Sequence, residues 1–162
     1  MHKVILMAEL YPVMEETLKA GGLVSLTSTG TSMMPMLQHQ RDTIILAPVK
    51  NPLHVNDVVL YRRISGQFVL HRIVGLESNG DYVLCGDNQS IPEHHIARQQ
   101  VIGRLQSFIR KGRRISCNSP SYKVYVTMLP LLRFLKHSLL IFRGYAAALK
   151  KRIRRLTNGN GG

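Results

Sequence analysis

Residues 67–85 read QFVLHRIVGLESNGDYVLC, and this stretch decides the fold. Two runs rich in β-branched and aromatic residues, Gln67–Leu76 and Asp81–Cys85, flank Asn79-Gly80. Both turn residues tolerate positive φ, so the spacing predicts a β-hairpin. The same composition recurs on either side. Period-two alternation marks residues 23–28, and strand-like runs follow at Thr43–Leu46, Asp57–Arg62, Val101–Ile109 and Arg113–Cys117. Pro48, Pro52, Ser65-Gly66 and Lys111-Gly112 punctuate them. Residues 8–20 predict a short helix, with Pro12 near its first turn and Gly21-Gly22 at its end. The expected architecture is mainly β. An N-terminal helix occupies 1–22, a β domain 23–117, and a helix-prone tail 118–162, with a kink or break at Pro130.

Charge divides the chain at residue 93/94, inside the predicted β domain. Residues 1–93 carry seven Lys/Arg against all nine Asp/Glu, a balance of −2; residues 94–162 carry fifteen Lys/Arg and no acid. A uniformly basic nucleic-acid-binding domain is therefore a poor expectation, and no zinc site or helix-turn-helix supports one. The basic residues of 122–156 recur at helical spacings among leucines and phenylalanines. This reads as an amphipathic helix suited to an anionic membrane surface, or as a helix docked on the β body with a solvated basic face. Arg133, Lys136 and Arg143 interrupt every window long enough to span a bilayer. The apolar stretch Val4–Ala8 is too short for a signal peptide or anchor. Two cysteines, Cys85 and Cys117, form no disulfide framework or metal-ligand pair and read as reduced thiols. These features place the chain in the cytoplasm, peripheral at the inner membrane face if the tail binds lipid. No cofactor or metal is expected.

Three segments could carry chemistry. Gly30-Thr31-Ser32-Met33-Met34-Pro35 lies between strand-like runs, where Gly and Pro would hold a sharp turn presenting Ser32. A serine becomes a useful nucleophile only with a base in reach. His71, inside the run Phe68–Val74, is the best placed candidate, because a strand holds it rigidly. Gly86-Asp87-Asn88 follows a strand, where an Asp could orient a histidine through its second ring nitrogen. Each segment also has an ordinary structural reading.

Taken together and in this order, they resemble the signal peptidase I family and the related self-cleaving SOS-repressor peptidases. The nucleophile box Ser-Met-x-Pro is Ser32-Met33-Met34-Pro35. Asn56-Asp57-Val58-Val59-Leu60-Tyr61 matches the next strand, with Asn where the family has Gly. Leu70-His71-Arg72-Ile73-Val74 fits the base box of the histidine-type, endoplasmic-reticulum-like branch. Gly86-Asp87-Asn88 is the final box, and Glu93 stands where that branch has a second acid. The resemblance covers roughly residues 23–110. It implies a signal-peptidase-like β fold and a serine endopeptidase. Ser32 would be the nucleophile and His71 the general base. Asp87 or Glu93 would support the base, with Asp87 modestly favoured because Glu93 is a methylene longer than the expected acid. The oxyanion hole and substrate groove would draw on Gly30, Thr31, Met33 and Pro35, with Thr29, Met34 and Met36 nearby. The partner would be a peptide or protein bound as an extended strand. The alternative is a catalytically idle module of the same fold that binds a peptide.

Overall fold

The computed structural model describes residues 7–50 and 52–135. The chain divides into two compact units, residues 1–126 and 127–162. The first unit carries α1 (Met7–Lys19) and eight strands: β1 (Val24–Thr27), β2 (Thr43–Ala47), β3 (Val58–Arg62), β4 (Phe68–Leu76), β5 (Tyr82–Cys85), β6 (Glu93–Ile96), β7 (Val101–Arg110) and β8 (Arg113–Ser116). They form one antiparallel sheet in the order β1-β2-β7-β3-β4-β5-β6, with β8 on β7. The protein is mainly β, as the composition predicts. One strand, β6, falls outside the predicted runs: Glu93-His94-His95-Ile96 offers a single apolar residue, so propensity gives no sign of it.

The sheet buries both faces around β3. Val58 and Leu60 pack into a cluster with Met14 and Leu18 of α1, Met33, Met36, Leu37 and Phe108. Val59 and Tyr61 point the other way, into a cluster with Ile73, Tyr82, Leu84 and Ile96. Side chains alternate across a strand, so a strand covered on both faces reads as an unbroken apolar run. Helix α1 ends where Gly21-Gly22 predicts. Gly21 has φ +85°, its N–H reaches Leu18 O at 3.0 Å, and the Gly22 N–H reaches Thr17 O at 2.9 Å. This is a Schellman cap.

The β4–β5 hairpin forms with a different turn from the expected pair of positive-φ residues. Gly80 has φ +87°, whereas Asn79 does not share the left-handed region. The Gly80 N–H donates to Glu77 O at 3.0 Å and the Glu77 N–H to Asp81 O at 2.9 Å. The connection is therefore the three-residue form, with glycine at the single left-handed position. Asn56, before β3, has φ +81°, and Asn is one of the few residues other than glycine that adopt this region readily.

The segment after β8 turns helical. Ser119 caps a helical segment that starts at residue 120: its Oγ accepts the Tyr122 N–H at 3.3 Å, and Pro120 occupies the first helical position. Residues through 126, including buried Tyr122, fall in the first compact unit. The helical state continues through Pro130 to 135 without the expected break. The rest of the predicted 122–156 amphipathic helix lies outside the described residues. Among the described residues no helix is long and apolar enough to cross a membrane.

Candidate active site

Ser32 sits in the connection between β1 and β2, which is closed at its base by fully buried Asp42. That carboxylate accepts the Gln38 N–H at 3.0 Å and Arg41 Nε at 2.7 Å, and the Ser28 N–H donates to Asp42 O at 2.8 Å. Inside the loop, Met33 and Leu37 plunge into the core and leave Ser32 half-buried between them and solvent. Gly86-Asp87-Asn88 cradles the loop from the other side. The Asn88 N–H donates to Ser32 O at 2.7 Å and Asn88 Nδ2 to Thr31 O at 3.2 Å. A Cβ on Gly86 would stand 2.6 Å from Ser32 O and 3.0 Å from Ser32 Cβ. Only glycine lets the two backbones meet there.

His71, in the middle of β4, is 1% exposed. Its Nδ1 lies 3.3 Å from Glu93 Oε1 and 3.3 Å from the Tyr61 hydroxyl. Glu93 is itself gripped by Arg63, whose Nε donates to Oε2 at 2.8 Å and whose second nitrogen reaches Oε1. The Arg63 hydrogen bonds hold the Glu93 carboxyl below its usual range, so it stays ionised at neutral pH. The Glu93 carboxylate and the Tyr61 hydroxyl both face Nδ1, and a proton on Nδ1 in this setting would leave Nε2 as the ring's proton acceptor. Burial lowers the His71 pKa, and the Glu93 charge opposes that shift only in part, so the ring is neutral at pH 7.

Asp87 does not occupy this position. Its carboxylate accepts Arg72 Nε at 2.8 Å and the terminal Arg72 nitrogen at 2.7 Å, and the Tyr125 hydroxyl donates to Oδ2 at 3.0 Å. Arg72 points to the opposite face of β4 from His71, as strand alternation requires. It also donates to Asn56 O and the Tyr122 hydroxyl. Asp87 is thus the counter-ion of a buried arginine beneath the nucleophile loop. The preference for Asp87 over Glu93 as the histidine's support fails because β6, invisible to strand propensity, carries Glu93 to the imidazole.

Ser32 and His71 line one cavity of about 340 Å³, with Gly30, Thr29, Met33, Leu60, Arg63 and Phe68 among the other walls. No hydrogen bond joins Ser32 to His71 among the described residues. The Ser32 and Met33 N–H groups likewise make no intramolecular hydrogen bond among them, which leaves two adjacent donors beside the hydroxyl. Gly30 is unavailable for that role, because its N–H donates to His39 Nδ1 at 2.9 Å. Thr31 and Pro35, expected at the groove, are exposed and do not line the cavity, while Met36 is buried in the core beside Arg72. A larger cavity of about 700 Å³ lies between α1, the segment 48–50 and residues 62–64 and 99–102. It shares Arg63 with the first cavity but is lined by neither Ser32 nor His71.

The cavity is flanked by unused strand edges. Strand β1 pairs with β2 alone, and β5 pairs with β4 only from Arg72 onward, leaving Phe68–Leu70 unpaired opposite β3 among the described residues. Leu26, Thr27, Phe68, Val69 and Leu70 of these edges all line the cavity. Comparison with known proteins adds no identity: no family model and no curated protein matches the chain. Arg63 and Tyr125 lie outside the quoted motifs. Tyr61 and Arg72 lie inside them, but position in the motif does not show that Tyr61 meets His71. Arg72 adjoins the base in sequence, but its burial against Asp87 depends on which face of β4 it takes.

Proposed function

We propose that the protein is a serine endopeptidase of signal-peptidase-like type, in which Ser32 attacks the scissile carbonyl and His71 accepts its proton. The observation that carries this reading is the chain Arg63–Glu93–His71 ending in the cavity that Ser32 lines. A buried neutral imidazole with an ionised carboxylate on Nδ1 is oriented and polarised for proton transfer at Nε2, and the carboxylate stabilises the imidazolium that forms. The proton then passes to the leaving amine. The Ser32 and Met33 N–H groups are the candidate oxyanion donors, the element of such sites that usually contributes most. A peptide adding as a strand against β1 or Phe68–Leu70 would gain main-chain hydrogen bonds and bring its backbone past Ser32. The four motif resemblances support the same assignment.

A second reading, an idle peptide-binding module, draws on the absent Ser32–His71 hydrogen bond. Catalytic hydrogen bonds are often long before substrate binds, and labelling separates the two. A peptidyl phosphonate should label wild type at Ser32, mapped by mass spectrometry, and leave Ser32→Ala untouched. A folded wild type that takes no label and cleaves nothing in a proteome-derived peptide library would favour the idle module.

The tail is proposed to hold the protein at an anionic membrane surface. Leu131, Phe134 and Leu135 are exposed on its described helical part, and Arg133 adjoins them in sequence. Full-length protein should sediment with phosphatidylserine vesicles, and a chain ending at Val126 should not; equal sedimentation of both would end this proposal. The cut belongs after 126, because removal of Tyr122 and Tyr125 would strip Arg72 and Asp87 of hydrogen bonds.

A further inference from the structure

In a regular strand His94 and His95 would point to opposite faces. In β6 they converge. His95 has φ +57°, and the β5–β6 register shifts between Tyr82 and Leu84. Both imidazoles therefore reach one carboxylate: His94 Nδ1 lies 3.1 Å from Glu77 Oε1, and His95 Nδ1 lies 2.5 Å from Glu77 Oε2. Asp81 approaches from the far end of the β4–β5 turn, its carboxylate held by Asn79 Nδ2 at 2.9 Å. One donor atom from each of Glu77, Asp81 and His95 lies within 4.8 Å of the others.

We propose that Glu77, Asp81 and His95 form a divalent transition-metal site of the zinc type, with His94 as the next donor. Mixed imidazole and carboxylate donors favour Zn²⁺, Co²⁺ or Ni²⁺ over Mg²⁺ and Ca²⁺, which take all-oxygen shells. Bonds of about 2.0–2.2 Å in a tetrahedral site set donors roughly 3.3 Å apart, close to the His94–Glu77 separation. Small side-chain rotations would admit the ion, and the exposure of both histidines leaves room for a water ligand. The ion would tie β6 to the turn between β4 and β5. Glu93, the first residue of β6, is the residue that meets His71, so the clamp would also hold that carboxylate in place. Metal binding itself does not depend on the peptidase reading.

The test uses the full chain after chelation and dialysis, titrated with Zn²⁺ by calorimetry and with Co²⁺ by visible absorption. Wild type should bind one Zn²⁺, melt several degrees higher with it, and give a tetrahedral Co²⁺ spectrum without a thiolate charge-transfer band. Glu77→Gln and His95→Asn should each weaken binding at least about 100-fold. Asn is chosen because it accepts the left-handed backbone of residue 95. Absence of saturable binding, unchanged affinity in both variants, or a thiolate band would overturn the proposal.

Discussion

Glu93→Gln should lower peptide turnover by roughly 10³–10⁴-fold while leaving the protein folded, as expected when the carboxylate that fixes a catalytic histidine's tautomer loses its charge. The amide can present its N–H to Nδ1 and so stabilise the wrong tautomer, with the proton on the nitrogen that should accept it. The pH profile provides a second readout. In the proposed mechanism His71 works only when neutral, so activity in wild type should fall on the acid side as the ring protonates, below its ordinary value of 6.5. Glu93 raises that pKa by its charge; without it the acid limb should move to still lower pH even as the plateau drops. A limb that moves up, or turnover within a few-fold of wild type, would remove Glu93 from the mechanism. The same depressed pKa has a consequence for stability. The unfolded chain binds the His71 proton more readily than the folded one, so this contribution is complete above pH 6.5 and declines as pH falls through the window below it.

Asp87→Ala should destabilise the fold by about 3–5 kcal/mol, measured by urea unfolding. Arg72 and Asp87 are 1% and 0% exposed at their side chains. Removing the carboxylate leaves a guanidinium buried with Asn56 O, the Tyr122 hydroxyl and Met36 Sδ as its remaining partners. Those neutral groups satisfy hydrogen bonds but do not neutralise charge, so the desolvation cost of the cation stands largely uncompensated. The replacement also loosens the segment whose neighbours Gly86 and Asn88 seat the nucleophile loop. A loss below about 1 kcal/mol, typical of an exposed pair, would show that the pair is not the anchor described. The two carboxylates thus separate by phenotype: Glu93 acts on the imidazole, and Asp87 on the framework beneath the serine.

Composition and spacing by themselves indicated a mainly β chain and most of its strands. Alternating β-branched residues and the glycine pair after α1 specify local backbone states that no distant contact needs to impose, and they form where expected; Asn79-Gly80 marked the place of a turn but not its type. Ser32, His71 and Gly86-Asp87-Asn88 stood out only through their ordered resemblance to the peptidase boxes, because each segment alone also has an ordinary structural reading. Tertiary structure alone decided which acid meets His71 and which meets Arg72. Strand alternation sends His71 and Arg72 to opposite faces, so Asp87 and Glu93, six residues apart, end on opposite sides of β4. Strand β6, too polar to announce itself, became a strand by pairing with β5. It brought Glu93 against His71 and gathered His94 and His95 on Glu77. Such pairings depend on edges made available by residues far away in sequence, and local propensity contains no record of them.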